Sequence, residues 1–288
     1  GLSSVLDLKL KDGRSDKTGG TFQIGSSEAG LTLEGPLSEK TSYIASVRRS
    51  YLQFLFAALD FAFLPTYTDY QAKVKYNIDK KNQITFLGLG AVDQFKLNLD
   101  ANETEAQRFQ LQVLPVNNQW NYSVGTKYTH FGEKSYTNIV LSRFMLNNDA
   151  YKYLNNNEDS LQLLDYASQE IENKLRIENF YRDGDWRISS GFGLEQSKYN
   201  TRTKDLRVPD QAPALDYSSD LLVYKYSLFG SASKSFLDRR INLSIGLRMD
   251  GNDFNSKMAN ALNQFAPKLA FTYNFNSEFS FNSNISRY

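Results

Sequence analysis

Alternation by two runs through almost the whole chain, and no stretch keeps a convincing helical period. From Ile241 to Asp250, apolar Ile241, Leu243, Ile245, Leu247 and Met249 alternate with Asn242, Ser244, Gly246, Arg248 and Asp250. Phe265, Leu269, Phe271, Tyr273 and Phe275 repeat the pattern against Ala266, Lys268, Ala270, Thr272 and Asn274. Trp120, Tyr122, Val124 and Tyr128 oppose Asn121, Ser123, Gly125, Lys127 and Thr129, and Trp186, Ile188, Phe192 and Leu194 oppose Arg187, Ser189, Gly191, Gly193 and Glu195. Each stretch predicts a strand with one apolar and one polar face. Between Glu172 and Tyr181 the polar face carries Glu172, Lys174, Arg176 and Glu178. Charges of both signs on one face predict a wet interior with paired ions. Gln83 to Val92 and Asn138 to Met145 are apolar on both parities, which suggests packing against something inside.

Links between the predicted strands alternate in length. Short ones fall at 38–41, 79–82, 132–135, 183–185, 236–240 and 276–278, and long ones at 52–66, 94–118, 147–169, 200–219 and 252–264. Tight turns at one end and long loops at the other are the habit of an outer-membrane barrel. Most strands are expected to run the 9 to 11 residues that cross a bilayer obliquely. The fold class is all-β, an antiparallel transmembrane β-barrel of about thirteen strands. An open sheet of that size has unpaired edges, so a longer barrel is expected.

Composition sharpens this reading. Twenty Phe and 18 Tyr accompany a mean hydropathy of -0.50, an aromatic-rich yet polar balance. No run approaches the roughly 18 apolar residues of a spanning helix. Lys and Arg (33) nearly cancel Asp and Glu (32), so no nucleic-acid partner is indicated. With no cysteine, disulfides and thiolate metal sites are excluded. The opening residues show no charged segment leading into an apolar core, and the chain reads as beginning in mid-protein.

Particular residues match a family. Gly1 to Gly13 (GLSSVLDLKLKDG) resembles the last plug strand of TonB-dependent outer-membrane receptors, and Thr21 to Leu52 resembles their first barrel strands, with Gly35, Pro36 and Leu37 before the first periplasmic turn. Ile245 to Phe254 and Phe265 to Tyr288 resemble a later barrel repeat, opened here by Pro267 and Lys268. The resemblance implies a barrel of about 22 strands closed around a plug, of which this chain holds part. It divides the chain into residues 1–13 as the end of the plug, 14–19 as a linker and 20–288 as partial barrel. It also implies a Gram-negative outer-membrane location and import of a scarce nutrient, captured at extracellular loops and released by TonB-driven plug movement. The implied partners are a TonB-type energy-transducing complex, outer-membrane lipid and a possible surface lipoprotein. The plug ending departs from that of glycan importers, which makes a glycan less favoured. A passive porin or a barrel-anchored adhesin is the alternative, and a soluble all-β enzyme a third.

Candidate chemistry is sparse, and neither enzyme activity nor a cofactor is expected. His130 is the one histidine, and an interfacial rim position suits it better than a metal site. Asp183 and Asp185 flank Gly184, which marks a hairpin turn ahead of a carboxylate pair. Asn155 to Asp159 is oxygen-rich, so Asn157, Glu158 and Asp159 are a weak Ca²⁺ candidate beside the plainer reading of a solvated loop. Leu52 to Leu64 is either a short amphipathic helix with an apolar patch for a ligand, or interface packing. Parity aims Arg48 into the lumen, as a plug contact, an anion site or a generic ion pair. Arg49, on the opposite parity, is expected to snorkel.

Overall fold

A computed structural model describes residues 9–207, 214–238 and 240–287. Within them one antiparallel sheet holds 13 strands, each paired with its sequence neighbours. In order they are β1 (Gly19–Ile24), β2 (Glu28–Ser38), β3 (Thr41–Ser50), β4 (Phe63–Asn77), β5 (Asn82–Leu97), β6 (Val116–Phe131) and β7 (Ser135–Tyr153). They continue as β8 (Gln162–Asp183), β9 (Trp186–Asp205), β10 (Leu215–Phe236), β11 (Ile241–Asn252), β12 (Ala266–Asn274) and β13 (Ser280–Ser286). Among the described residues β1 pairs only with β2 and β13 only with β12, so their sheet is open at both edges. The plug strand expected over residues 1–13 lies largely outside the described residues, and residues 9–14 carry no regular structure.

The tight links after β2, β4, β6, β8, β10 and β12 fall at one end of the sheet, as the pattern predicted; the three-residue turn between β1 and β2 is the short link at the other end, and side chains explain several of the turns. The Asp79 carboxylate accepts the backbone N–H groups of Lys81 and Asn82 at 2.7 and 2.9 Å. Asn276 Oδ1 accepts those of Glu278 and Phe279, both at 2.9 Å. Gly184 takes φ +54° at the first position of its two-residue loop, where a hairpin of the primed kind needs a residue free of a Cβ.

Two expectations need correction. Strands do not stop at 9 to 11 residues: β7 has 19, β9 has 20, and β8 and β10 have 22 each. The expected loop over 147–169 is mostly strand, leaving residues 154–161 between β7 and β8. The reason lies in solvent. Outward residues above the lipid, among them Gln169, Asn200 and Arg202, meet water and are polar like their inward neighbours, so alternation disappears while the ladder continues. The second correction is a helix within 94–118, α2 (Glu105–Val113), which follows α1 (Leu52–Ala58). A capping box fixes its start: Thr104 Oγ1 accepts the Gln107 N–H at 3.2 Å, and the Gln107 side chain accepts the Thr104 N–H at 2.8 Å.

Register sorts the two faces. Ile241, Leu243 and Ile245 stand opposite Tyr273, Phe271 and Leu269 on one face. These side chains have no second layer over them, and Ile245 and Leu269 are each 50% exposed. In water that surface would aggregate, whereas each such side chain placed in hydrocarbon gains about 1.5–3 kcal/mol. The other face carries the ions, so it is the lumen.

Candidate functional site

The lumenal face of β2–β4 receives the segment that precedes the barrel. β4 puts Lys73 and Lys75 on one face two residues apart, and both reach Asp12, at 2.6 and 2.7 Å. Lys73 also donates to the Leu10 carbonyl at 2.7 Å, and Lys11 pairs with Glu34 at 2.8 Å. Burial pushes the Asp12 carboxyl up, but hydrogen bonds from Lys73 and Lys75 and their charges outweigh it and hold the group below its ordinary value. This clasp was not expected. Its signal was the i, i+2 lysine pair on the polar parity of one strand.

Arg48 points into the lumen, as parity predicted. Nε donates to Asp69 Oδ1 at 3.0 Å and Nη1 to Glu28 Oε1 at 3.4 Å. Glu28 also accepts the Tyr67 hydroxyl. The guanidinium is therefore divided between two carboxylates of neighbouring strands. Arg49 faces the other way and donates to Thr68 Oγ1 at 2.5 Å.

Further round, β8–β11 present a charged lumenal wall. Lys174 bridges Glu172 at 2.5 Å and Glu195 at 3.5 Å, and Glu195 also takes Lys225 at 2.7 Å. Beside this chain, Arg176 lies 4.5 Å from the centroid of the Phe229 ring and Arg248 lies 5.8 Å from it. The ring has room because its partner is Gly191, where a Cβ would fall 2.3 Å from Phe229 Cζ. A cavity of about 320 Å³ opens between these side chains. The wall thus sets ion pairs of both signs and two guanidinium–ring contacts around a polar hollow, chemistry suited to contacting polar solutes.

At the long-loop end, α1 folds over an aromatic cluster. Phe56 packs on Phe61 and Phe63 at 5.0 and 5.3 Å, and Phe63 stacks on Phe95 at 5.0 Å. Ala62 is fully buried beneath, and Asp60 at φ +54° makes the reversal. Phe54 is left 69% exposed. Gln107 of α2 donates to the Asp60 carbonyl at 2.8 Å and ties the two loops together. Lys152, only 3% exposed, closes the far end of α2.

The remaining candidates have structural partners. His130 is exposed, and its Nδ1 meets Asn82 Oδ1 at 2.8 Å at the tight-turn end. Asp183 accepts Lys134 Nζ at 2.9 Å from the neighbouring turn. Asn157 Oδ1 accepts the Asp159 N–H at 3.0 Å, closing the β7–β8 tip. Among the described residues no group of three or more His, Cys, Asp or Glu is placed to hold a metal ion.

Comparison with known proteins agrees with this architecture. No curated protein matches the sequence. Among solved structures, the ferric enterobactin receptor of Pseudomonas aeruginosa, in a mutant form, superposes with a TM-score of 0.64 at 12% identity, over 95% of this chain and 44% of that one. The ferripyoverdine receptor of the same organism gives 0.66 at 12%, over 93% and 41%. The copper transporter OprC gives 0.64 at 11%, over 96% and 46%. The chain thus spans less than half the length of these relatives. The family model for the TonB dependent receptor-like β-barrel matches residues 38–288. The chain belongs to that family and lies in the outer membrane of a Gram-negative bacterium.

Proposed function

We propose that this chain is the forward part of the barrel of an energised outer-membrane importer. A scarce nutrient is captured at the long-loop end, passes the charged lumenal wall, and is released when a plug rearranges under the pull of a TonB-type complex. No covalent chemistry is involved. The observation that carries this reading is the clasp of Asp12 by Lys73 and Lys75, because it seats the chain ahead of β1 on the lumenal side of the wall. A plugged barrel needs that entry; a passive porin or an anchored adhesin does not. On this reading residues 1–13 close the plug, 14–19 link it and 20–288 form barrel. The aromatic cluster under α1 is the first surface a ligand meets, and Arg48 acts as a strut between Glu28 and Asp69. The solved relatives carry iron siderophores or copper by name, and at 11–12% identity they support the fold without fixing the nutrient. A surface lipoprotein lid is compatible with the same mouth.

The test uses the full-length receptor in cells, comparing nutrient accumulation with and without a functional TonB-type complex. Accumulation that collapses without it supports the importer; accumulation that persists supports the porin.

A further inference from the structure

The outward face of β6–β10 carries something that contact with hydrocarbon does not call for. Arg143 shares parity with Ile139 and Leu141, so its side chain points toward lipid. Nε donates to the Tyr122 hydroxyl at 2.9 Å and Nη1 to Asn173 Oδ1 at 2.9 Å. Asn173 donates on to Gln196 at 3.0 Å, and Gln196 to the Tyr224 hydroxyl at 2.9 Å. A hydrogen-bonded row therefore crosses five adjacent strands. Among the described residues Arg143 has no ion-pair partner, and its Nη2 donates to nothing. A membrane-facing cation without a counter-ion is costly, and a phosphate is the anion whose geometry a guanidinium fits.

The surroundings order the chemistry along the strands. On the tight-turn side of the row lies an apolar cavity of about 650 Å³, whose walls include Phe86, Leu141, Leu175 and Leu194. On the long-loop side, past outward-facing Lys198, lies a polar depression of about 500 Å³ bordered by Asn147, Gln169, Asn200, Arg202 and Asp220. Gln169 donates to Asn147 at 2.9 Å, while the buried Asn147 Nδ2 has no partner. An acyl groove, two outward cations without an ion pair among the described residues (Arg143 and, beyond it, Lys198) and a bed of amides and carboxylates thus follow one another in the direction that leads out of the membrane. We propose that a phosphorylated glycolipid of the outer leaflet binds here, with acyl chains in the apolar cavity, a phosphate on Arg143 and sugar hydroxyls in the polar depression. A simple anionic phospholipid would use the first two features and leave the third empty.

The full-length receptor, purified in detergent, is titrated with bis-phosphorylated lipid A, dephosphorylated lipid A and phosphatidylglycerol, with binding read by native mass spectrometry. Wild-type receptor should bind bis-phosphorylated lipid A about tenfold more tightly than Arg143→Gln does, a difference of about 1.4 kcal/mol. It should also prefer this lipid to each of the other two by a similar factor. Leu141→Trp, which fills the groove and leaves the cation in place, should weaken binding as well. Equal affinity of wild type and Arg143→Gln overturns the proposal, and so does equal affinity of wild type for the phosphorylated and dephosphorylated lipids. Phosphatidylglycerol binding as tightly as lipid A overturns the glycolipid assignment. Heat-modifiable gel migration identifies folded variants, and the three-lipid comparison on wild type decides the matter even if a variant fails to fold.

Discussion

Lys152 Nζ lies 2.8 Å from the carbonyl oxygen of Leu114, the residue that caps the C-terminus of α2. The same ammonium meets the Leu111 carbonyl and, at 2.6 Å, Asn156 Oδ1, so each of its three hydrogens has an acceptor. A cation at a helix C-terminus is also favoured by the helix dipole. Lys152→Met keeps the bulk and strands these acceptors, at a cost of about 1–3 kcal/mol. Hydrogen exchange across residues 105–113 should accelerate, and unchanged exchange would show that α2 holds without the lysine.

The other end of α2 depends on Thr104. Thr104→Ala removes the acceptor for the Gln107 N–H and should cost about 1 kcal/mol, whereas Thr104→Ser should cost little. Faster exchange confined to the first turn is the expected sign. Loss of protection along the whole helix would point to a wider role.

Asp12 sets a pH dependence. Its carboxyl is held below the ordinary value of about 3.9, so the clasp with Lys73 and Lys75 is fully present above that pH and is lost as pH falls through the lowered value. Proteolysis of the segment 9–18 in folded receptor should be steady between about pH 7 and 5 and rise below about 4. Asp12→Asn should show the high susceptibility at every pH; if it stays protected at neutral pH, the lysines are not what seats the segment.

Gly184 has no heavy atom near the position a Cβ would take, so its requirement is the backbone angle alone. Gly184→Ala should destabilise the β8–β9 hairpin by about 1–2 kcal/mol, and Gly184→Asn by less. The midpoint of urea unfolding in detergent measures both. Equal effects would assign the turn to something other than its dihedral.

Arg48→Ala should leave nutrient uptake unchanged and lower stability by less than about 1 kcal/mol, because the ion pairs are half in solvent. Reduced uptake at normal barrel yield would instead give Arg48 a part in transport.

What the sequence made legible follows from which surfaces meet lipid. Alternation at Ile241 to Asp250 or Trp186 to Glu195 exists because one side faces hydrocarbon, and those strands were read with their tight turns. Above the lipid, β7 to β10 have water on the outward face, so Asn147 to Gln169 looked like loop. α2 is too short for a convincing helical period, although Thr104 and Gln107 at capping-box spacing marked its start. The ion pairs of Asp12 depend on where residues about 60 apart along the chain meet, which no local pattern encodes, and Arg48 could be aimed by parity but not paired. Gln83 to Val92 puzzled for a related reason: its inward Leu87 stands opposite Lys73, one of the lysines of the Asp12 clasp.

Strands of 22 residues rise about 70 Å along their own axes, and even at a steep tilt more than half of that exceeds a band about 25 Å tall. β2 and β3, with 11 and 10 residues, barely clear the same band. Along this sheet the long-loop edge is therefore uneven, high at β8 to β10 and low at β2 and β3.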